Sequence, residues 1–194
     1  LFRSSTRVII GQDTRESGTQ LAEALAGGLR ASGCEVEFLG VMPTPAIAYL
    51  AQIDGCAAAV ITASHNPYRD NGVKLFFVGG TKLTDEVQDA IERDLATAQS
   101  GPVDPPVSLV QTDRTSDYVD HIATVIAPRD LSGVTVVLDC ANGAMSDVAP
   151  RAFAALGATV IAINDEPNGR NINEGCGAAH PEALSQAVRL HSAD

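Results

Sequence analysis

The chain has 194 residues and a formal net charge of −11, with 45% hydrophobic, 19% charged and only 4% aromatic residues. That balance excludes a disordered chain, and no apolar run approaches the roughly 18 residues of a membrane span. The acidity argues against nucleic acid as a partner, because a phosphate backbone calls for clustered Lys and Arg. A small phosphorylated ligand stays open, since local cations outweigh a screened global field. With no Trp, the core rests on Ala, Val, Ile and Leu, as in parallel sheets covered by helices. Cys34, Cys56, Cys140 and Cys176 form no C-x-x-C pair and read as reduced thiols of a cytoplasmic protein. Cys176 and His180 make half a zinc site at most, so metal is not expected there. No signal peptide is visible, although a start at Leu1 leaves a lost targeting segment open.

In chain order, residues 7–11 predict a strand ending at Gly11, and residues 12–16 a polar loop. Ser17 with Gln20 makes a capping-box signature. Leu21, Leu25 and Leu29 then share a helical face that Gly33 terminates. Residues 35–41 alternate as a strand, and Pro43-Thr44-Pro45 opens a short helix to about residue 52. The apolar run 57–61 predicts a buried strand. Residues 73–78 predict another after the Asn71-Gly72 turn, closed by Gly79-Gly80. Thr84 caps a helix with Val87, Ile91 and Leu95 as its stripe. Residues 101–106, rich in Gly and Pro, read as a linker. A helix over 116–127, with Tyr118, Ile122 and Val125 on one side, bridges to a second unit. That unit reads as strand 134–139, helix 147–156, strand 159–163, a polar loop 164–179 and a helix from Pro181 to about residue 191. At Asp194 the alternation calls for another strand, so the second unit reads as unfinished. Strands alternating with helices on both sides of the linker give two α/β units.

The stretch that carries chemistry follows the run 57–61: Thr62-Ala63-Ser64-His65-Asn66-Pro67. Pro67 forbids a continuing central strand. A hydroxyl, an imidazole and an amide therefore stand at the carboxyl end of a core strand, where open α/β sheets bind ligands. A phosphoryl-carrying serine needs an exposed hydroxyl, donors for the phosphate oxygens, a proton acceptor and usually a divalent metal. Ser64 supplies the hydroxyl. Arg15, in a loop at the end of another strand, is placed for paired hydrogen bonds to phosphate. Lys74 is an acid/base candidate if neighbours lower its pKa from about 10.4. His65 and Asn66 can donate to phosphate or substrate.

Plainer readings stand beside these. A Ser-His-Asn-Pro run serves equally well as a turn. Arg15 and Lys74, taken singly, are more often solvated surface charges. Asn142-Gly143 reads better as a tight connection than as a phosphate-binding turn. His121 and His191 read as structural or facing a helix dipole. Residues 168–173 read equally as a ligand loop or a rigid polar loop.

Thr62-Ala63-Ser64-His65-Asn66-Pro67 with Asn71-Gly72-Val73-Lys74 resembles the phosphoserine signature of the α-D-phosphohexomutases. Gly11-Gln12-Asp13-Thr14-Arg15 is similar to that family's first active-site loop, and Pro43-Thr44-Pro45 sits in the matching place. Asp139-Cys140-Ala141-Asn142-Gly143-Ala144 and the stretch from Glu166 to Pro181 are similar to the bacterial branch acting on glucosamine phosphate. Ala178-Ala179 departs from the Ser-Thr often found there. The resemblance implies an α/β fold of two three-layer units with mostly parallel sheets. Residues 1–114 would form the first, carrying the phosphoserine loop. Residues 115–194 would form the bridging helix and an incomplete second unit.

The implied activity is an intramolecular phosphotransfer between glucosamine 6-phosphate and glucosamine 1-phosphate, through phospho-Ser64 and a bisphosphorylated sugar. Mutases of glucose or mannose phosphates, and a non-catalytic sugar-phosphate-binding homologue, are the alternatives. The implied catalytic residues are Ser64, Lys74, Arg15 and His65, with Asn66 and Arg15 binding phosphate or substrate. Mg2+ would be held by Ser64 through its phosphate, with the remaining Asp ligands expected beyond Asp194. A hexose bisphosphate would act as activator. Members of the family have four domains and more than twice this length. This chain is therefore expected to begin inside domain 1, to end before the Asp-Gly-Asp-x-Asp-Arg loop that would hold magnesium, and to be inactive alone. Its partner would be a small sugar phosphate, not nucleic acid or membrane, with a homo-oligomer left open.

Overall fold

A computed structural model describes residues 6–98 and 107–194; the expected linker at 101–106 lies outside the described residues. The first unit is a four-stranded sheet of β1 (Arg7–Gln12), β2 (Glu35–Val41), β3 (Ala57–Ile61) and β4 (Val73–Phe76), in the order β2-β1-β3-β4. Parallel pairing needs a crossover between strands. α1 (Gly18–Ala31) and α2 (Thr44–Asp54) supply the two crossovers that let β1 lie parallel to both β2 and β3. β4 returns antiparallel along β3 after a short loop and pairs Val60 with Lys74.

Both faces of β1 and β3 are covered, which is why their sequences are continuously apolar rather than alternating. Val8, Ile10, Ala57, Ala59 and Ile61 pack on Ala22, Ala26 and Leu29 of α1. Ile9, Ala58 and Val60 pack on Ala46, Ile47, Leu50 and Ala51 of α2. The buried stripe of α1 thus turns on two alanines, with Leu21 and Leu25 at its margin. Small side chains bring the helix close to the sheet.

Two local expectations differ. Ser17 has helical backbone angles (φ −79, ψ −7) and makes no cap bond. A capping side chain needs an extended backbone to fold back over the first turn, and the Ser17 hydroxyl instead accepts from Asn71. β4 stops at Phe76, because the Phe77 amide turns away to bond Thr81. Gly80 closes that turn with φ +72, and a Cβ there would lie 2.0 Å from the Ala48 carbonyl oxygen. α3 (Asp85–Thr97) buries no residue, and Leu95 at the end of its stripe is 69% exposed.

The chain then runs back along β2, where Gln111 bridges Phe38 and the Thr112 amide bonds the Phe38 carbonyl at 2.8 Å. α4 (Thr115–Ile126) begins beside Arg114, which pairs with Asp54 of α2 at 2.6 Å. α4 touches both α2 and α5 (Met145–Ala155). Val119 of α4, with Val148 and Ala152 of α5, belongs to the same apolar cluster as Ile9 and Leu50. One core therefore crosses from the first unit to the second, and the bridging helix is where it crosses. The second sheet pairs β5 (Thr135–Asp139) with β6 (Thr159–Ile163) in parallel, with α5 packed on β6 and α6 (Glu182–His191) on β5. After α6, Asp194 returns to the start of β5. Its amide donates to the Thr135 carbonyl at 3.0 Å, and its Oδ2 accepts the Thr135 amide at 2.9 Å. Among the described residues, no helix is long and apolar enough to cross a membrane.

Candidate active site

β3 delivers the chain from the core to the sheet's carboxyl edge. At its end the Thr62 amide bonds the Gly72 carbonyl at 3.0 Å, tying the start of the Ser64 loop to the start of β4. The Thr62 hydroxyl donates to Asp13 Oδ2 at 2.7 Å and accepts from the Ser64 amide at 3.0 Å. Two tight turns follow, from Asn66 N to Ala63 O and from Asp70 N to Pro67 O, each 3.1 Å. Ser64 lies within the first of them with φ +56, in the left-handed region that L-residues other than Asn and Asp seldom occupy.

Arg15 holds this loop from beneath. Its side chain is fully buried, and Nε donates to Asp13 Oδ2 at 2.9 Å. Nη1 donates to the carbonyls of Pro67 and Asp70, the latter at 2.9 Å. Nη2 donates to the carbonyls of Ser64 and Asn66 at 2.9 and 3.0 Å. A guanidinium has five N–H donors in a fixed fork, and here all five end on protein. No Arg15 N–H is left over here for the expected paired hydrogen bonds to phosphate: the buried charge is committed to Asp13 and four loop carbonyls, and it shapes the loop.

The second unit holds the same loop from the side. Asn173 Nδ2 donates to the carbonyls of Ser64 and Asn66 at 3.0 and 3.1 Å. Its segment is itself anchored, through Asn173 N to Ala141 O at 2.9 Å and Asn142 Nδ2 to Asn171 O at 3.3 Å. Asn142 also accepts the Thr14 hydroxyl on its carbonyl at 2.6 Å. The Glu16 amide reaches Gly169 O at 3.0 Å, and Arg170 pairs with Glu16 at 2.6 Å. Residues 168–173 are thus a polar loop seated on the first unit and supported by the Asn142-Gly143 connection. Beneath it, burial and the charges of Asp165 and Asp139 push the Cys140 thiol up to about 11.

Of the residues expected to take part in chemistry, Ser64, His65, Asn66 and Lys74 are all exposed, the first three on the loop and Lys74 on β4. His65 Nδ1 stands 3.5 Å from Ser64 Oγ, at the limit of a hydrogen bond. Asn66 Nδ2 donates to Asp70 at 3.2 Å. Lys74 lies opposite Val60 in the ladder, and no hydrogen bond or ion pair of its side chain is found among the described residues. Beside the loop, a cleft of about 470 Å³ is lined by His65, Tyr68, Arg69, Arg170, Asn173 and His180. His121 stands apart, stacked on Tyr49 with ring centroids 3.8 Å apart.

The expected Mg2+ site is not complete within these residues. Among the described residues no three His, Cys, Asp or Glu side chains gather to hold a metal ion. Asp194 does not stand in for the carboxylates expected beyond it. Its Oδ2 is bonded to the Thr135 amide, at the end of β5 opposite Asp139, whereas the bonds to the Ser64 loop come from the Asp139 end.

Sequence reasoning passed over Asp13, Thr62 and Asn173. Asp13 was legible as the partner two residues from Arg15 in one polar loop. Asn173 carried no signal beyond its place in the Asn-rich stretch, because its contact spans more than a hundred residues.

Residues 2–101 match the family model described as phosphoglucomutase/phosphomannomutase, alpha/beta/alpha domain I. A phosphoglucosamine mutase of Rhodococcus jostii (strain RHA1) is 49% identical over 191 residues, which cover 96% of this chain and 43% of that relative. A solved phosphoglucomutase/phosphomannomutase family protein from Burkholderia thailandensis superposes with a TM-score of 0.72 at 30% identity, covering 95% of this chain and 41% of its own. The N-acetylphosphoglucosamine mutase of Aspergillus fumigatus, solved with GlcNAc-6P and magnesium, shares the fold at 19% identity and a TM-score of 0.52, over 94% of this chain and 29% of its own. The chain spans less than half the length of the curated relatives it matches.

Proposed function

The chain belongs to the phosphoglucomutase/phosphomannomutase family, and from that premise we propose that Ser64 carries the phosphoryl group of an enzyme interconverting glucosamine 6-phosphate and glucosamine 1-phosphate. The observation that carries this is the Ser64 loop itself. An exposed hydroxyl is fixed at the end of a core strand, in a strained backbone conformation, by a buried Arg15 beneath it. Backbone strain of this kind persists where the surroundings over-determine it, and it clusters at active sites. The relatives named phosphoglucosamine mutase, 46–49% identical, favour the amino sugar.

In the proposed step the free hydroxyl of the sugar phosphate attacks phosphorus of phospho-Ser64. The new P–O bond to the sugar forms as the bond to Ser64 Oγ breaks. Neutral Lys74 takes the proton leaving the sugar hydroxyl and passes it on to the departing Ser64 Oγ, so that Ser64 ends protonated and Lys74 ends neutral. The bisphosphorylated sugar turns and returns its other phosphate by the reverse of the same step. His65 and Asn66, exposed on the loop, orient phosphate and substrate. Arg15 keeps the loop in place without touching the ligand. Mg2+, which the Aspergillus protein binds, and a hexose bisphosphate activator belong to this reading, which places the remaining Asp ligands beyond Asp194. We read residues 1–114 and 115–194 as the two units, in a cytoplasmic enzyme acting on a small sugar phosphate.

A second reading, a mutase of glucose or mannose phosphates, is favoured by the description of the family model. The test is a side-by-side assay of the 6-phosphates of glucosamine, glucose and mannose on the full-length protein containing this chain, with magnesium and a hexose bisphosphate. Preferred turnover of the glucosamine ester is expected. A preference for either other sugar contradicts the assignment.

A further inference from the structure

The Ser64 loop is held by two donors of different origin. The Ser64 and Asn66 carbonyls each accept one bond from Arg15 Nη2 and one from Asn173 Nδ2. Each carbonyl oxygen has two lone pairs, so both are filled only when the second unit is seated. Arg15 is fully buried within the first unit, whereas Asn173 arrives across the interface between the units. Asn173 is also built to stay where it is. Its φ is +59, a left-handed conformation that Asn tolerates. Its amide is bonded to Ala141, which itself has φ +52 at the end of β5. Asp139, the last residue of β5, accepts the Ala141 amide at 2.9 Å and the Gly177 amide at 2.8 Å. A continuous set of bonds therefore runs from the second sheet to the backbone carbonyl of Ser64.

We propose that Asn173 is a positioning residue for Ser64, holding the serine backbone in its left-handed conformation and so tying phosphoryl transfer to the seating of the second unit. This rests on the phosphoserine reading above. Asn173 borders the cleft beside the loop, but both hydrogens of its side-chain amide are spent on the Ser64 and Asn66 carbonyls. It acts through two carbonyls, so its loss lowers the rate of transfer and leaves ground-state binding nearly unchanged.

The test uses Asn173→Asp and Asn173→Gly in the full-length protein. Both residues accept the left-handed backbone, so folding is preserved, and both remove the amide donor. For either variant kcat falls about ten- to hundredfold, as expected for two hydrogen bonds of ordinary net strength, with KM within about twofold. Asn173→Asp also carries its own control. Its carboxylate regains an O–H donor on protonation, so its rate relative to the native enzyme rises as pH falls towards the ordinary carboxylate pKa of about 4. The same ratio for Asn173→Gly stays flat. Native rates in both variants, or a loss in Asn173→Asp that is the same at every pH, overturn the proposal. If the native protein takes up no phosphoryl group, the phosphoserine reading fails instead. The clamp is then judged by amide exchange at residues 64–70, and unchanged protection in Asn173→Asp overturns it.

Discussion

The two sides of the Ser64 loop are built on opposite rules. Beneath it, Asp13, Arg15 and Thr62 are joined by bonds of 2.7–2.9 Å, and every Arg15 donor ends on protein. On its other side Ser64 and His65 are exposed, the serine hydroxyl standing 3.5 Å from His65 Nδ1, and Lys74 on β4 is exposed as well. The difference separates two jobs that the residue types alone do not separate. An Arg and a Lys near a serine both look like phosphate ligands. Burial commits one of them to the loop and leaves the other exposed, as the proposed proton transfer requires. The strain at Ser64 belongs with the lower side, since a left-handed serine costs of order 1 kcal/mol and needs something to enforce it.

That division can be broken by mutation. The largest effect is expected from Arg15→Met, which leaves the Asp13 carboxylate buried without its cation and four carbonyls short of a donor. Removing one partner of a buried pair costs about 3–5 kcal/mol, read as a shift in the urea midpoint with an unchanged slope. A loss below about 1 kcal/mol would mean that Arg15 is not scaffold. Lys74→Met should do the reverse. Its kcat/KM for the sugar phosphate falls about 10²–10⁴-fold, the usual worth of a positioned acid/base, while stability stays within about 0.5 kcal/mol. Comparable losses of both quantities would erase the distinction between the sides.

Thr62→Val sharpens the lower side further. It keeps the side-chain shape and removes the links to Asp13 and the Ser64 amide, so a stability loss of about 1–2 kcal/mol is expected by thermal or chemical melting. A pH-dependent effect concerns the connection that supports residues 168–173. The Cys140 thiol is raised to about 11, chiefly by burial, from an ordinary value of 9.0. The raised value leaves the folded state at full advantage below pH 9, and stability is lost between about pH 9 and 11 as the unfolded thiol ionises first. Cys140→Ala should flatten the alkaline limb of the stability curve over that window; an unchanged limb would place the titration elsewhere.

Much of this was legible from residues alone. The buried run at 57–61, the break at Pro67 and the polar residues beyond it place Ser64 at a strand end, and the structure puts β3 over those same five residues. The Asn71-Gly72 turn correctly brings Lys74 back beside β3. The helix caps were less legible, because a Ser-x-x-Gln pattern specifies a cap only if the serine backbone is extended, and Ser17 is not. The stripe of α3 was legible as a face: Val87 and Ile91 are half-buried while Leu95 at its end is exposed, because the groove formed with Leu25, Val73, Leu75 and Leu83 is open there. The role of Arg15 was not legible, since its five partners include carbonyls fifty residues away that no local pattern encodes. Asn173 is the same case at greater separation.

The central claim is that Ser64, and no other residue, accepts the phosphoryl group. The direct measurement is mass spectrometry of the full-length protein after treatment with a hexose bisphosphate and magnesium. One added phosphoryl group on the peptide containing Ser64, absent from Ser64→Ala, is the expected result. An unmodified Ser64 peptide, or a phosphoryl group carried elsewhere in the chain, would contradict it.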